Sequence, residues 1–178
     1  MINVIDTPNP DTKKFVFDET IVSKGSKEFK KKDGSINLVD KLFDIGDIEL
    51  VFLDTNFISI RKSKDTSWDI LSKKVLDLLN ENINKDFNPL TFEEENQFTD
   101  DVSLRIEEVL NEKIRPAVAM DGGDIRLMSF KNGIAEVMLK GACAGCPSST
   151  ITLKHGVERM IKHYVPEVTS VEAININD

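Results

Sequence analysis

Residues 134–161, IAEVMLKGACAGCPSSTITLKHGVERMI, read as a strand, a short loop holding both cysteines of the chain, and a helix. IAEVMLKG, apolar in most of its positions and bounded by Asn-Gly before it, reads as the strand. After the cysteines, Leu153, Val157, Met160, Ile161 and Tyr164 recur at helical spacing and are expected to form one core stripe. Pro147 suits a first helical turn, and Ser148 and Ser149 can cap exposed N–H groups there.

Working outward, DIRLMSF is a second strand, joined to the first around Lys131-Asn132-Gly133, where Asn-Gly signals a hairpin. Before it, Val102, Ile106, Val109 and Leu110 mark a helix that should bend or stop near Pro116. Between the two lies DGGD, Asp121 to Asp124. Its glycines read as a tight turn with positive φ, and its two carboxylates make an incomplete oxygen cage for a metal. VTSVEAI supplies a last strand. The order is αββαβ, with C-x-x-C at a strand-to-helix junction.

The N-terminal half has a different order. INVI and KKFVF are strands on either side of TPNPDT, a helix is expected from Ile36 to Ile45, and ELVFL and FISIR form a hairpin around Asp54-Thr55-Asn56. Trp68, Leu71, Val75, Leu78 and Leu79 line one face of a closing helix, with Trp68 as a core anchor. This gives ββαββα, and the basic run Lys27 to Lys32 reads as a solvated loop, with a partner-docking patch as the alternative. The fold class expected is α+β in two small domains.

Charge locates the boundary. The chain of 178 residues carries a net charge of −8. Met1 to Asp86 holds 14 basic and 16 acidic residues, Phe87 to Asp101 none against 5, and Val102 to Asp178 holds 9 against 10. The middle piece, FNPLTFEEENQFTDD, has a turn signal and no sustained period, as a solvated linker does. The expected domains are therefore 1–86 and 101–178, with 87–100 between them. The acidity argues against a nucleic-acid partner, and no apolar run approaches the ~20 residues of a membrane span. The first residues lack the apolar stretch of a secretory signal, so the reading is a cytoplasmic protein, a mature organelle-matrix protein being left open.

Two cysteines do not make a disulfide framework, which turns attention to metal or redox chemistry. Structural zinc needs four ligands. His155 and His163 both fall in the helix after the motif, and a straight helix carries His163 about 20 Å away along its axis. Thiol-disulfide exchange suits a thiol at a helix N-terminus. Its usual context is a βαβ unit, whereas the strand before Cys143 is expected in an antiparallel hairpin. Iron–sulfur clusters generally take four thiolates, and each chain offers two. The arithmetic closes if two chains meet across a two-fold axis, each giving Cys143 and Cys146 to one shared cluster. The remaining alternative is two unrelated thiols.

KIRPAVAMDGGDIRLMSF (113–130), GACAGCPSSTITLKHGVERMI (141–161) and VPEVTSVEAI (165–174) closely resemble the C-terminal NifU-like domain. MINVIDTPNPDTKKFVF (1–17) and KLFDIGDIELVFLDTNFISIRK (41–62) resemble the Nfu N-terminal domain. The chain thus looks like an Nfu-type iron–sulfur scaffold or carrier. The resemblance implies a cluster, commonly [4Fe-4S], bridged between the subunits of a homodimer, with Cys143 and Cys146 at the ligand positions. It also implies an upstream cluster-assembly scaffold as donor and apo iron–sulfur client proteins as acceptors. On this reading the chain is not an enzyme; the rival within enzyme chemistry is a thiol-disulfide oxidoreductase using the same cysteines.

Overall fold

The computed structural model describes residues 1–84, 86–93, 98–144 and 147–174. The chain divides into two compact units, Met1–Glu94 and Glu95–Asp178.

In the first unit, strands β1 (Ile2–Asp6), β2 (Thr12–Phe17), β3 (Val22–Lys24) and β4 (Lys27–Phe29) precede helix α1 (Asn37–Asp44). Strands β5 (Ile48–Asp54) and β6 (Phe57–Lys62), helix α2 (Trp68–Asn82) and strand β7 (Leu90–Thr91) follow. One antiparallel sheet runs in the order β1-β2-β6-β5-β4. Phe15, Val51, Leu53, Ile58 and Ile60 of this sheet pack with Leu38, Val39 and Leu42 of α1 and with Leu71, Val75 and Leu79 of α2. The apolar stripes of both helices thus find the partner that their spacing required. Ser67 caps α2 by accepting from the Asp69 N–H. Trp68 is half-buried against the same core, and its indole N–H donates to the Pro10 carbonyl at 3.2 Å.

Three strands of this unit depart from the ββαββα expectation. Lys27–Phe29 is not a solvated loop: it pairs with β5 as an edge strand and buries Phe29 under the Lys27 ammonium, 4.9 Å from the ring centroid. Val22–Lys24 and Leu90–Thr91 form a small parallel pair. The front of the stretch read as linker is therefore folded onto this unit, with Phe87, Leu90 and Phe92 packed against its core. Apolar side chains at those three positions outweigh the acidic neighbours.

The second unit contains helix α3 (Asp101–Val109), a π-helical turn (Leu110–Ile114), helix α4 (Arg115–Met120), strands β8 (Gly123–Lys131) and β9 (Ile134–Gly141), helix α5 (Pro147–Tyr164) and strand β10 (Ser170–Ile174). The αββαβ order stands, but the helix before Pro116 neither stops nor simply bends. Pro116 has no N–H to continue the α ladder, and the backbone widens so that the Arg115 N–H donates to the Leu110 carbonyl, five residues back. The helix then resumes as α4.

The sheet order is β10-β9-β8. Asn132 and Gly133 both have positive φ, 52° and 80°, as the tight β8–β9 turn requires. Strand β10 lies parallel to β9, so β9–α5–β10 is a βαβ unit. The alternate residues Ala135, Val137 and Leu139 of β9 face the core with Ile106, Ile114 and Val118 from the helices before them. Of the stripe expected on α5, Val157 and Ile161 are buried, Met160 and Tyr164 are exposed, and Leu153 lies outside the residues whose side chains are described. No helix among the described residues is long and apolar enough to cross a membrane.

Candidate functional site

The end of β9 and the start of β8 are opposite one another, Gly141 paired with Gly123. At this end the chain turns through glycines at positive φ, Gly141 itself at 65° and Gly122, just before Gly123, at 82°. Only glycine takes these values without steric cost. Two backbone hydrogen bonds then fix the cysteine loop: the Ala142 N–H donates to the Gly122 carbonyl at 3.0 Å, and the Ala144 N–H to the Gly141 carbonyl at 3.1 Å. Cys143 is thereby held between a turn of its own loop and the DGGD turn.

Its thiol points inward. Cys143 is 4% exposed and belongs to the second core. A Cβ added to Gly123 would lie 2.7 Å from the Cys143 Sγ and 2.6 Å from the Lys140 carbonyl oxygen. Gly123 therefore does not serve the turn by positive φ, as the sequence reading held. It is a strand residue whose missing side chain makes room for the sulfur. Cys146, the second expected ligand, lies outside the described residues, and α5 begins immediately after it at Pro147.

Asp124, next to Gly123, is buried and bound edge-on by Arg115: Nε donates to Oδ1 at 2.8 Å and Nη2 to Oδ2 at 2.9 Å. The Ile125 N–H also donates to Oδ1, and Arg115 Nη1 donates to Asn111 Oδ1 at 2.7 Å. Such a two-pronged pair fixes orientation as well as charge. On α3, burial pushes the Glu107 carboxyl above the ordinary carboxylate range, with the Arg115 guanidinium opposing the shift. The carboxylate of Asp124 is thus committed to Arg115, while Asp121 is exposed, which agrees with a structural DGGD. His155 and His163 are exposed along α5. Among the described residues, no group of three or more His, Cys, Asp or Glu side chains is placed to hold a metal ion. A cluster needing four thiolates must draw on more than one sulfur-bearing loop.

Arg115, Asn111 and Glu107 did not emerge as site residues from the sequence. The available signal was an arginine, Arg115, nine residues before Asp124, since a carboxylate destined for burial calls for a cation nearby.

Two compact α+β units, the second seating the Cys143 thiol against a strand glycine, define an α+β protein with a thiol-bearing loop. Residues 2–86 match the family described as "Scaffold protein Nfu/NifU N terminal" and residues 106–172 the NifU-like domain. The chain belongs to the Nfu family of iron–sulfur scaffold proteins. It is 34% identical over 183 residues to "NFU1 iron-sulfur cluster scaffold homolog, mitochondrial" of Drosophila persimilis, covering 97% of this chain and 64% of that protein. It is 34% identical over 184 residues to "NifU-like protein 4, mitochondrial" of Arabidopsis thaliana, covering 96% of this chain and 65% of that protein. The chain thus spans just under two thirds of the length of these curated relatives. A solution structure of a NifU-like protein from Saccharomyces cerevisiae aligns with 46% of this chain and 76% of that one, with a TM-score of 0.41 and 24% identity.

Proposed function

We propose that two copies of this chain bind one [4Fe-4S] cluster between them through Cys143 and Cys146 of each, and pass it to apo-proteins. The cluster is cargo, received from an upstream assembly scaffold, and the chain performs no turnover chemistry of its own. The observation that carries the reading is the single C-x-x-C per chain, set between β9 and α5 of a NifU-like domain, with the Cys143 backbone fixed from both sides. Half a ligand set on each subunit suits release as well as capture, because separating the subunits opens the site. In this reading residues 101–178 carry the cluster and the first unit docks clients. The compartment is aqueous, the cytoplasm or an organelle matrix, and the named relatives are mitochondrial.

A second reading has one observation in its favour. Thiol-disulfide exchange ordinarily takes a βαβ context, and β9–α5–β10 is such a unit with the C-x-x-C between its strand and its helix, although no Trp or Pro stands just before or within the motif. Anaerobic reconstitution with iron and sulfide separates the two. About four irons and four sulfides per two chains, with a dimeric native mass, supports the scaffold. A full cluster on a monomer overturns the shared site. Failure to take up iron, together with a reversible disulfide between the two cysteines, favours exchange.

A further inference from the structure

We propose that Gly123, held by the Arg115–Asp124 pair, is the seat that sets where the Cys143 sulfur stands, and that Arg115 and Asp124 are positioning residues for that thiol. The inference rests on the reading of Cys143 as a cluster ligand for its functional meaning, but its physical content is independent of any cluster.

The sulfur is confined from three directions. Gly141 and Ala144 close the turn that contains it, the Gly122 carbonyl holds the Ala142 N–H beside it, and the bare Cα of Gly123 lies under the Sγ. Gly123 sits at the very start of β8, where a strand end would ordinarily fray. The next residue prevents this. Asp124 is 4% exposed and ties the start of β8 to Arg115 by two charge-assisted bonds, while its Oδ1 also accepts from the Ile125 N–H. Arg115 is itself placed at the point where the π-helical turn hands over to α4, and Asn111 accepts from its Nη1. The chain of contact runs from the widened helix through Arg115 and Asp124 to Gly123 and ends on the sulfur.

Because the seated sulfur is buried, ligation must draw it out, so a loosened seat raises the fraction of loops open to a cluster, and the grip on Gly123 holds that fraction down. Charge alone does not supply this. Lysine at 115 keeps the positive charge but lacks the fork that holds both carboxylate oxygens.

The test uses Arg115→Lys, Asp124→Asn and Gly123→Ala in the full chain. The first readout is the alkylation rate of Cys143 in metal-free protein, located by peptide mass and measured at a pH where thiols are largely ionised. The second is the lifetime of the reconstituted cluster's visible absorbance, and far-UV circular dichroism checks the fold. The expected result is a folded Arg115→Lys and Asp124→Asn in which Cys143 alkylates about tenfold faster or more, through more frequent local opening, and the cluster is held correspondingly longer. Alkylation within about twofold of the parent in both variants overturns the proposal, since the loop would then be held without the pair. Should Gly123→Ala fail to fold, the other two variants decide. If the parent chain takes up no cluster while the alkylation rates rise as expected, the scaffold reading fails and the seat stands.

Discussion

Replacing Cys143 with alanine separates two roles carried by one sulfur. Cys143 is 4% exposed and packs in the core that Ile106, Leu139 and Val157 also build. The change removes a single heavy atom, as Ile→Val does, and its packing cost is therefore about 0.5–1.5 kcal/mol. Against the ~5–15 kcal/mol that holds a typical domain, the fold survives. Ligation is a different matter, because one substitution per chain deletes two of the four thiolates that a shared cluster needs. Serine at the same position sharpens the comparison: it nearly preserves volume but buries a hydroxyl, adding about 1–3 kcal/mol unless that hydroxyl finds an acceptor. Native-state hydrogen exchange of the amides of residues 134–139 measures the stability of the second unit by itself, which matters because two units need not unfold together. Iron and sulfide analysis after reconstitution measures ligation. A stoichiometric, stable cluster on Cys143→Ala would refute the ligand assignment, and a loss above about 3 kcal/mol would show that the sulfur's packing role exceeds that of one atom.

Gly133→Ala should cost about 1–2 kcal/mol through left-handed backbone strain alone. Its Cβ would also lie 2.7 Å from Thr169 Oγ1, so the same exchange experiment should find a smaller cost in a Thr169→Ala background, and equal costs would discount the contact. The Lys162 ammonium and then the Val171 N–H hold the Glu158 carboxyl below its ordinary range. Its contribution is therefore present above the ordinary carboxylate pKa and lost as pH falls through the folded one; Glu158→Gln should lose up to about 1 kcal/mol at neutral pH, and a gap that persists in strong acid counts against the ion pair. Glu107 is the opposite case, raised by burial, so its ionised form opposes folding. Glu107→Gln should raise the melting temperature at neutral pH, with the difference closing as pH drops below the ordinary carboxylate range. Finally, residues 95–178 should fold and take up iron alone, since they form their own compact unit with Phe98 packed on its core. A folded fragment that binds no iron would place part of the site in residues 1–94.

Elements with a strong period were legible in the sequence. The apolar stripe of α2, the hydrophobic strands β5 and β6, and the Asn132-Gly133 turn each announce themselves over a few neighbouring residues. Strands β3, β4 and β7 do not, because two or three residues cannot display a period, and their pairing depends on segments far along the chain. The last strand of the second unit was readable as a strand, but not its parallel place beside β9, which adds a βαβ unit to the β8–β9 hairpin. The cysteine motif stood out by spacing alone. Its support did not: the Arg115–Asp124 pair and the close approach at Gly123 are facts of three-dimensional proximity. DGGD offered one visible glycine signal for two physical reasons, positive φ at Gly122 and a bare Cα at Gly123.

The parallel place of β10 has a consequence for the order in which a nascent chain can become a protein. The first unit's last strand, β7, is synthesised before any element of the second, so that unit can close while translation continues. In the second, β8 and β9 pair through a tight turn as soon as they leave the ribosome, but the far edge of β9 stays open until Ser170–Ile174 has emerged behind the whole of α5. Parallel pairing has no short turn to nucleate it and must meet the cost of closing a long loop. Val171, part of the wall around the Cys143 core, arrives with that strand. Throughout this interval the growing chain presents an unpaired sheet edge and an incompletely walled thiol together, and both are closed by the same late event.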